Sequence, residues 1–397
     1  MKKICLIYLL KTFLFSTSLF SQQLSIVEQD YEKAKQLSHQ QNKMLLIDFY
    51  TTWCAPCKIL DEQLFRNSAN SAKIAKDYIV LRYNAEKDSI YNLTKKHHIR
   101  MYPSAVVLNA NQQVVHQQYG TGGADSLMAV NYLSFLQKAK QLNQDNFFLK
   151  GISADLKLAY PDFYVNYINR TSAKMNREEL NRYWDTISSL LPEIPFKIFC
   201  YFSGGNEKWN EYFFENKQTF TDLYGELDVL FAATMIISDR LYSAIEKVDR
   251  VKFNNAVEMV KIHMGGEEKT KKYINLMELR MLQAENRWKD AYRFMEALKK
   301  KNEVSPEDII WFSSNVSDKC EDKTVLNKTA KWVKKITQKQ PSYYYLENYA
   351  LLLFKLGKKE QSLETMKKAI EKGKEENEST KSSEQWISKN FPEKTNN

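Results

Sequence analysis

Residues 44–58 read Met44-Leu45-Leu46-Ile47-Asp48-Phe49-Tyr50-Thr51-Thr52-Trp53-Cys54-Ala55-Pro56-Cys57-Lys58. The first seven form a short apolar run of the kind that makes a central strand covered on both faces. The run leads almost directly to two thiols separated by two residues at the start of a helix. Such a pair can alternate between dithiol and disulfide. The same spacing also serves as half of a zinc site, so the surroundings decide. Zinc needs four ligands, and no second Cys-x-x-Cys or His-x-x-His accompanies this pair. His97 and His98 are adjacent and cannot both face one metal from a helix, while His39, His116 and His263 are scattered. The expectation is a redox pair with no metal and no cofactor.

In that chemistry one thiolate attacks a substrate disulfide and the second thiol resolves the mixed disulfide. Cys54, at the helix start, is the natural attacker, because free backbone N–H groups and the positive end of the helix dipole favour its thiolate. Cys57, one turn inside and more buried, is the natural resolver. Pro56 is tolerated in the first turn, which has no hydrogen bond to lose, and it stiffens the loop. Lys58 adds a nearby positive charge, and Trp53 offers a flat cover over the site.

Working outward, Ile26, Val27, Tyr31, Ala34 and Leu37 recur at helical spacing and predict an amphipathic entry helix over 24–42. A helix is predicted from Cys57 to about Asn67, a second strand over Tyr78–Tyr83 and a helix over 88–98. Ser104–Leu108 and Gln113–His116 flank a polar turn and read as a hairpin. Gly120 through Gly123 is a breaker, and 125–140 reads as a closing helix. The order helix–strand–helix–strand–helix–strand–strand–helix fits a small α/β sandwich.

Across 24–140 these features together resemble the thioredoxin family. The pattern of entry helix, Asn42-Lys43, strand and Trp-Cys-x-x-Cys-Lys is most similar to an envelope-facing branch that includes the C-terminal thioredoxin-like domain of the disulfide reductase D proteins. The resemblance implies a thioredoxin fold and a thiol–disulfide oxidoreductase. It makes Asp48, six residues before Cys54, the buried acid that manages the resolving thiol's proton; a carboxylate inside a sheet core is costly and so rarely accidental. Ile99-Arg100-Met101-Tyr102-Pro103-Ser104 matches the family segment with a cis-proline facing the cysteines, which implies that Pro103 and Tyr102 contact substrate. Gly120 matches a family glycine near the same groove. Ser104 stands where threonine is commoner, the hairpin turn lacks its usual glycine, and Arg82 lies near where some members carry a lysine beside the acid.

From about 141 the texture changes to long, aromatic-rich helical patterns. Apolar stripes run along 225–246, 267–284, 287–300, 323–338, 342–356 and 359–373. Asn348–Lys359 followed by Ser362, Met366 and Ala369 resembles a tetratricopeptide helix pair, and the small residues Ala291, Thr329 and Ser362 recur near the roughly 34-residue period of such repeats. The expected divisions are a thioredoxin-like domain over 22–140, a helical domain over 141–270, tetratricopeptide-like hairpins over 271–375 and a frayed polar tail over 376–397, of which Trp386 and Ile387 can dock. Cys200 sits in an apolar run and reads as buried; Cys320, among Asp318, Lys319, Glu321 and Asp322, reads as exposed. A disulfide between these two stays open.

Residues 1–21 carry Lys2, Lys3 and Lys11, no acid, and an apolar block from Ile4 to Phe20, which read as a secretory signal peptide. Export to the periplasm or another compartment where disulfides persist is therefore expected. The formal net charge is +10, but basic residues are dispersed among acids, which points away from nucleic acid. The function expected is an exported oxidoreductase that reduces protein disulfides, takes electrons from a membrane thiol relay, and recruits other proteins through its helical region. Ala-Pro between the cysteines, without the histidine of strong oxidants, tilts the balance toward reduction. The competing expectation is a scaffold protein with a structural or redox-sensing thioredoxin-like module.

Overall fold

The computed structural model describes residues 23–121, 125–168, 175–202 and 206–392. The leader expected over 1–21, with Gly122 and Gly123 of the breaker, lies outside the described residues. The chain divides between Ala232 and Ala233 into two compact units. Among the described residues no helix is long and apolar enough to cross a membrane.

The first unit is built on a five-stranded mixed sheet. Its strands are β1 (Ile26–Glu28), β2 (Met44–Tyr50), β3 (Tyr78–Asn84), β4 (Ser104–Leu108) and β5 (Val114–Tyr119), in the order β1-β3-β2-β4-β5. β1 and β2 run parallel to β3, whereas β4 is antiparallel to β2 and β5. The apolar run at 44–50 is the central strand, buried from Met44 to Phe49. Strand alternation puts Met44, Leu46, Tyr78, Val80 and Val107 on the face covered by Tyr132, Phe135, Leu136 and Ala139 of helix α5 (Met128–Gln144), after α1 (Tyr31–Gln40), α2 (Ala55–Leu60), α3 (Ser68–Asp77) and α4 (Leu93–Lys96). Each such fully buried aliphatic or aromatic side chain contributes roughly 1.5–3 kcal/mol. This is a thioredoxin-like α/β domain.

The predicted helices depart from the observed ones where a local cap intervenes. The entry helix over 24–42 is in fact β1 followed by α1. Val27 is buried in the parallel ladder with β3, Gln29 takes φ 60°, and Asp30 then caps the Lys33 N–H. Cys57–Asn67 is likewise broken: α2 passes into a π-helical segment, Asp61–Phe65, and Asn67 caps the unforeseen α3. The helix predicted over 88–98 shrinks to α4, because Asn92 takes φ 53° and the Asp88 carboxylate accepts the Leu93 and Thr94 N–H groups. In the hairpin turn without glycine, Gln112 adopts φ 62° while the Asn109 side chain accepts from Asn111 and Gln113.

Beyond α5 the chain is all-helical. The first unit adds α6 (Asp162–Ile168), α7 (Arg177–Thr186), α8 (Glu193–Tyr201), α9 (Glu207–Glu215), α10 (Lys217–Tyr224) and the start of α11 (Glu226–Glu246). An aromatic core joins them, with Phe196 stacked on Tyr224 at 4.1 Å and on Phe220 at 4.9 Å. Polar side chains tie these helices to the sheet. Lys197 Nζ reaches Asp228 Oδ2 at 2.5 Å, Gln117 and Tyr119 of β5 donate to the same carboxylate at 3.1 Å, and Lys96 pairs with Glu193 at 2.6 Å. His98 is buried among Tyr160 and Tyr164, while buried His97 packs on Phe49.

The second unit comprises the rest of α11, then α12 (Arg250–His263), α13 (Glu267–Ala284), α14 (Trp288–Lys300), α15 (Pro306–Lys319), α16 (Lys323–Lys339), α17 (Tyr343–Lys355), α18 (Lys359–Glu375) and α19 (Lys381–Asn390). Ala291, Thr329 and Ser362 are fully buried, and the Ser362 hydroxyl donates to the Ala350 carbonyl at 2.7 Å, a contact that a larger side chain would prevent. Asn286 and Gly357 both take positive φ at the turns that open α14 and α18. Cys320, expected to be exposed, is fully buried: it caps α15 and packs with Phe312, Val316 and Val325 while its charged neighbours point outward. Cys200 is also buried, and both are free thiols. The polar tail is helical over α19, where Trp386 packs on Phe354 at 5.0 Å.

Candidate active site

Thr51–Trp53 carry the chain from the buried end of β2 to the start of α2. Glu86, after β3, holds this loop by accepting from the Thr52 N–H at 2.8 Å and its hydroxyl at 2.7 Å. These hydrogen bonds keep the exposed Glu86 carboxyl below its ordinary range. Cys54 is the N-cap of α2, and its Sγ accepts the Cys57 N–H at 3.2 Å. Pro56 sits in the first turn, where no helical hydrogen bond is lost. Sγ of Cys54 and Sγ of Cys57 are 2.08 Å apart, forming a disulfide.

The two cysteines are almost equally buried, 3% exposed for Cys54 and 5% for Cys57, so the expected difference in burial is absent. Trp53 is 69% exposed, and its ring meets the edge of Tyr102 at 6.2 Å. Lys58 is exposed on the outer face of α2.

The Tyr102–Pro103 peptide is cis. Pro103 is buried at the start of β4, and its carbonyl accepts the Gly120 N–H at 2.8 Å. Gly120 has φ 71°, and a β-carbon there would stand 3.3 Å from the Met101 sulfur, so glycine suits both the backbone and the close approach. The structure thus brings Trp53 to Tyr102, and Pro103 to Gly120. Half-exposed Met101, which sequence reasoning did not single out, adds a sulfur to this apolar rim.

Asp48 is 2% exposed on the α5 face of the sheet. Tyr132 of α5 donates to its Oδ1 at 3.0 Å, and Arg82, its register partner on β3, brings Nε to 3.1 Å from Oδ2 in an ion pair lacking the alignment of a hydrogen bond. Burial pushes the Asp48 carboxyl above its usual value, against the opposing pull of Arg82 and Tyr132. Arg82 is packed between the rings of Tyr50 and Phe65 and also pairs with Asp61. Burial works against its charge, yet Asp48 and Asp61 together hold its pKa above the ordinary arginine value. The pairing lies in strand register and was foreshadowed only by the position of Arg82; Tyr132, Asp61 and Glu86 gave no motif by which to find them.

The arrangement can exchange two electrons between a dithiol and a disulfide. It presents an apolar rim and keeps a buried carboxyl of raised pKa on the same sheet.

A family model described as thioredoxin-like matches residues 26–110. Thioredoxin-1 of Drosophila melanogaster is 28% identical over 110 residues, which are 28% of this chain and 92% of that protein. Protein disulfide-isomerase 5-2 of Arabidopsis thaliana is 26% identical over 151 residues, 38% of this chain and 33% of that protein. A crystal structure of a disulphide isomerase from Xylella fastidiosa is 22% identical, covering 29% of this chain and 87% of its own, with a TM-score of 0.22. Residues 26–110 therefore carry a thioredoxin-like domain with its Cys54–Cys57 pair at disulfide distance.

Proposed function

We propose that this chain is an exported thiol–disulfide oxidoreductase that reduces disulfides in protein substrates. The observation that carries the reading is the Cys54–Cys57 disulfide at the N-terminus of α2, with the Cys57 N–H directed at the Cys54 sulfur. In the reduced enzyme the Cys54 thiolate attacks one sulfur of a substrate disulfide, forming a mixed disulfide and expelling the other sulfur as a thiolate. Cys57 then loses its proton and attacks Sγ of Cys54. The enzyme disulfide forms, the second substrate thiol leaves, and two electrons have passed to the substrate.

Asp48 takes the role of acceptor for the Cys57 proton; burial, which raises its pKa, suits it to exchange protons nearer neutrality. Trp53, Tyr102 and Pro103 form the substrate rim, supported by Pro56, Lys58 and Gly120. The Ala-Pro pair supports reduction over oxidation, and the leader-like sequence of residues 1–21 supports export. A reductase in an oxidising compartment needs electrons, and a membrane thiol relay supplies them in this reading. The tetratricopeptide-like helical hairpins recruit other proteins.

The test is a Cys57→Ser variant. Mixed disulfides with Cys54 that disappear on adding a reductant, together with a strongly reducing potential for the wild-type pair, support the reading; a strongly oxidising potential overturns the reductase direction. The near-complete burial of both thiols favours a second reading, a redox-sensing module on a scaffold protein. It requires an empty trap and a partner set unchanged in Cys54→Ser.

A further inference from the structure

Within the second unit, the C-terminal end of α11 and helices α13, α14 and α15 enclose a cleft of about 500 Å³. Arg280 of α13 lies in it with its guanidinium carbon 5.5 Å from the Tyr242 ring and 4.9 Å from the Trp311 ring. Stacking of this kind fixes the plane of a guanidinium while leaving its edge free to donate. Arg280 Nε is buried with no hydrogen-bond partner, and so is the amide nitrogen of Gln283, one turn further along α13. Both are donors, both belong to residues that line the same cleft, and leaving a buried donor unpaired is unfavourable.

Other arginines of this unit are differently placed. Arg250 binds Glu278 and Glu285 at 2.7–2.9 Å, Arg287 binds Asp290 at 2.8 Å, and Arg293 pairs with Asp290. Among the described residues no carboxylate of the chain is ion-paired to Arg280, although exposed Glu246 lines the cleft. Exposed Lys319 on α15 adds a second cation to its wall.

A second, independent feature stands at the rim. After α11 the chain turns through a residue with φ 53°, closed by the Val248 N–H on the Ile245 carbonyl and the Asp249 N–H on that of Ala244. The corresponding left-handed residues at other helix ends of this unit are Asn286, Asn302, Gly357 and Asn377, the types that tolerate this backbone. Here it is valine, a β-branched residue for which the conformation is strained, and it is 47% exposed beside the cleft. Strain retained at an exposed position is a mark of function rather than packing.

We infer that this cleft binds an acidic side chain of an extended partner peptide, its carboxylate received by Arg280 and Gln283 and a neighbouring apolar side chain seated on Val248. Charge complementarity selects the occupant: two cationic side chains and an unpaired amide donor face one exposed carboxylate of the chain's own. The inference rests on the reading of the helical region as the part that recruits partners and names the chemistry it recognises.

The probe is a fluorescein-labelled, C-terminally amidated peptide of alternating glutamate and leucine, titrated into the full chain with Cys54 and Cys57 left oxidised. Fluorescence anisotropy is expected to show binding that weakens with added salt. Arg280→Gln, or a peptide with glutamine in place of glutamate, weakens it about tenfold or more, as befits loss of a charge-assisted bidentate contact. Arg280→Lys, which keeps the charge and guards against a folding artefact, weakens it by less, and Val248→Asn costs a few-fold. Absence of binding at millimolar peptide, an Arg280→Gln affinity within twofold of wild type, or binding only by the non-amidated peptide overturns the inference. Because the readout is equilibrium binding to the oxidised chain, its failure leaves the dithiol chemistry standing, and an empty Cys57→Ser trap leaves the cleft standing.

Discussion

Asp228→Asn tests the structural bond between the thioredoxin-like sheet and the helices that follow it. Both members of the Lys197–Asp228 pair have fully buried side chains, so neither charge has recourse to solvent. Burial by itself would raise the Asp228 pKa, but Lys197 and Arg100 together hold it below the usual carboxylate range, so the acid is charged at neutral pH. Tyr119 and Gln117 donate to different oxygens of the carboxylate, so the single amide oxygen of asparagine keeps an acceptor for one of them, and the Lys197 ammonium loses its counter-charge. Removing one partner of a buried pair costs about 3–5 kcal/mol, a roughly hundred- to several-thousand-fold increase in local opening. Hydrogen exchange read by mass spectrometry is the suitable assay, because it separates peptides of β5 and α8 from those of the second unit, whose protection serves as the internal control. Adding Lys197→Met removes the stranded ammonium while the amide oxygen still accepts from one of Tyr119 and Gln117, and should restore about 2 kcal/mol. Arg100, packed against the Tyr201 and Phe231 rings, also loses the charge it faced and keeps the recovery incomplete. A loss under about 1 kcal/mol in the single variant, or a double variant no better protected than the single one, would refute the assignment of this ion pair as the tie between sheet and helices.

Acid should destabilise the first unit before its carboxylates titrate. Burial lowers His97 to about 3 and His116 to about 4, so the unfolded chain takes up protons near pH 6.5 that the folded chain refuses; stability is complete above that value and falls toward pH 4 by about 1.4 kcal/mol per pH unit for each group. Thermal unfolding at pH 7.5 and pH 5 checks this, and an unchanged midpoint would contradict it. Val248→Asn should raise the stability of the second unit by about 1 kcal/mol, since asparagine accepts φ 53° more readily than valine; a lowered unfolding midpoint would count against the strain. Asp48→Asn should slow the resolving step by about a hundredfold at neutral pH, visible as a mixed disulfide that accumulates during turnover of an insulin-like substrate, while initial attack by Cys54 is little changed. Equal slowing of both steps would place Asp48 outside the proton path.

What could be read in the sequence was what is local and repetitive. The run 44–50 could only be a central strand, and α13, α14, α16, α17 and α18 follow single apolar stripes because each buries one face, whereas α15 was not read from the sequence. Ile26-Val27 misled because β-branched residues at helical spacing also suit an edge strand, and only pairing with Val80 and Leu81 decides between the two. Cys320 misled because charged neighbours in sequence do not report the direction of a helix C-cap. The site shows the same division. Cys54, Cys57, Asp48 and Pro103 are contiguous with motifs, whereas Arg82 meets Asp48 across a strand register and Tyr132 meets it from a helix 84 residues away.

The largest thing hidden in sequence is the polarity of one flank of the domain. A thioredoxin-like sheet standing alone has no use for Lys96, His97, His98, Arg100, Gln117 and Tyr119 together, because exposing the aromatic and apolar stems of such residues or burying their polar ends unpaired is unfavourable either way. Glu193 and Asp228 supply the missing carboxylates from more than ninety residues downstream. Tyr119 makes the consequence concrete. Its backbone pairs with Ser104, the residue after the cis-proline, and its hydroxyl shares its one proton between Asp228 Oδ1 at 3.1 Å and the His97 carbonyl at 3.3 Å. The Tyr102–Pro103 segment is therefore braced from behind by Asp228 of α11, and the helices nearest the sheet act as part of the thioredoxin-like domain rather than as an appendage to it.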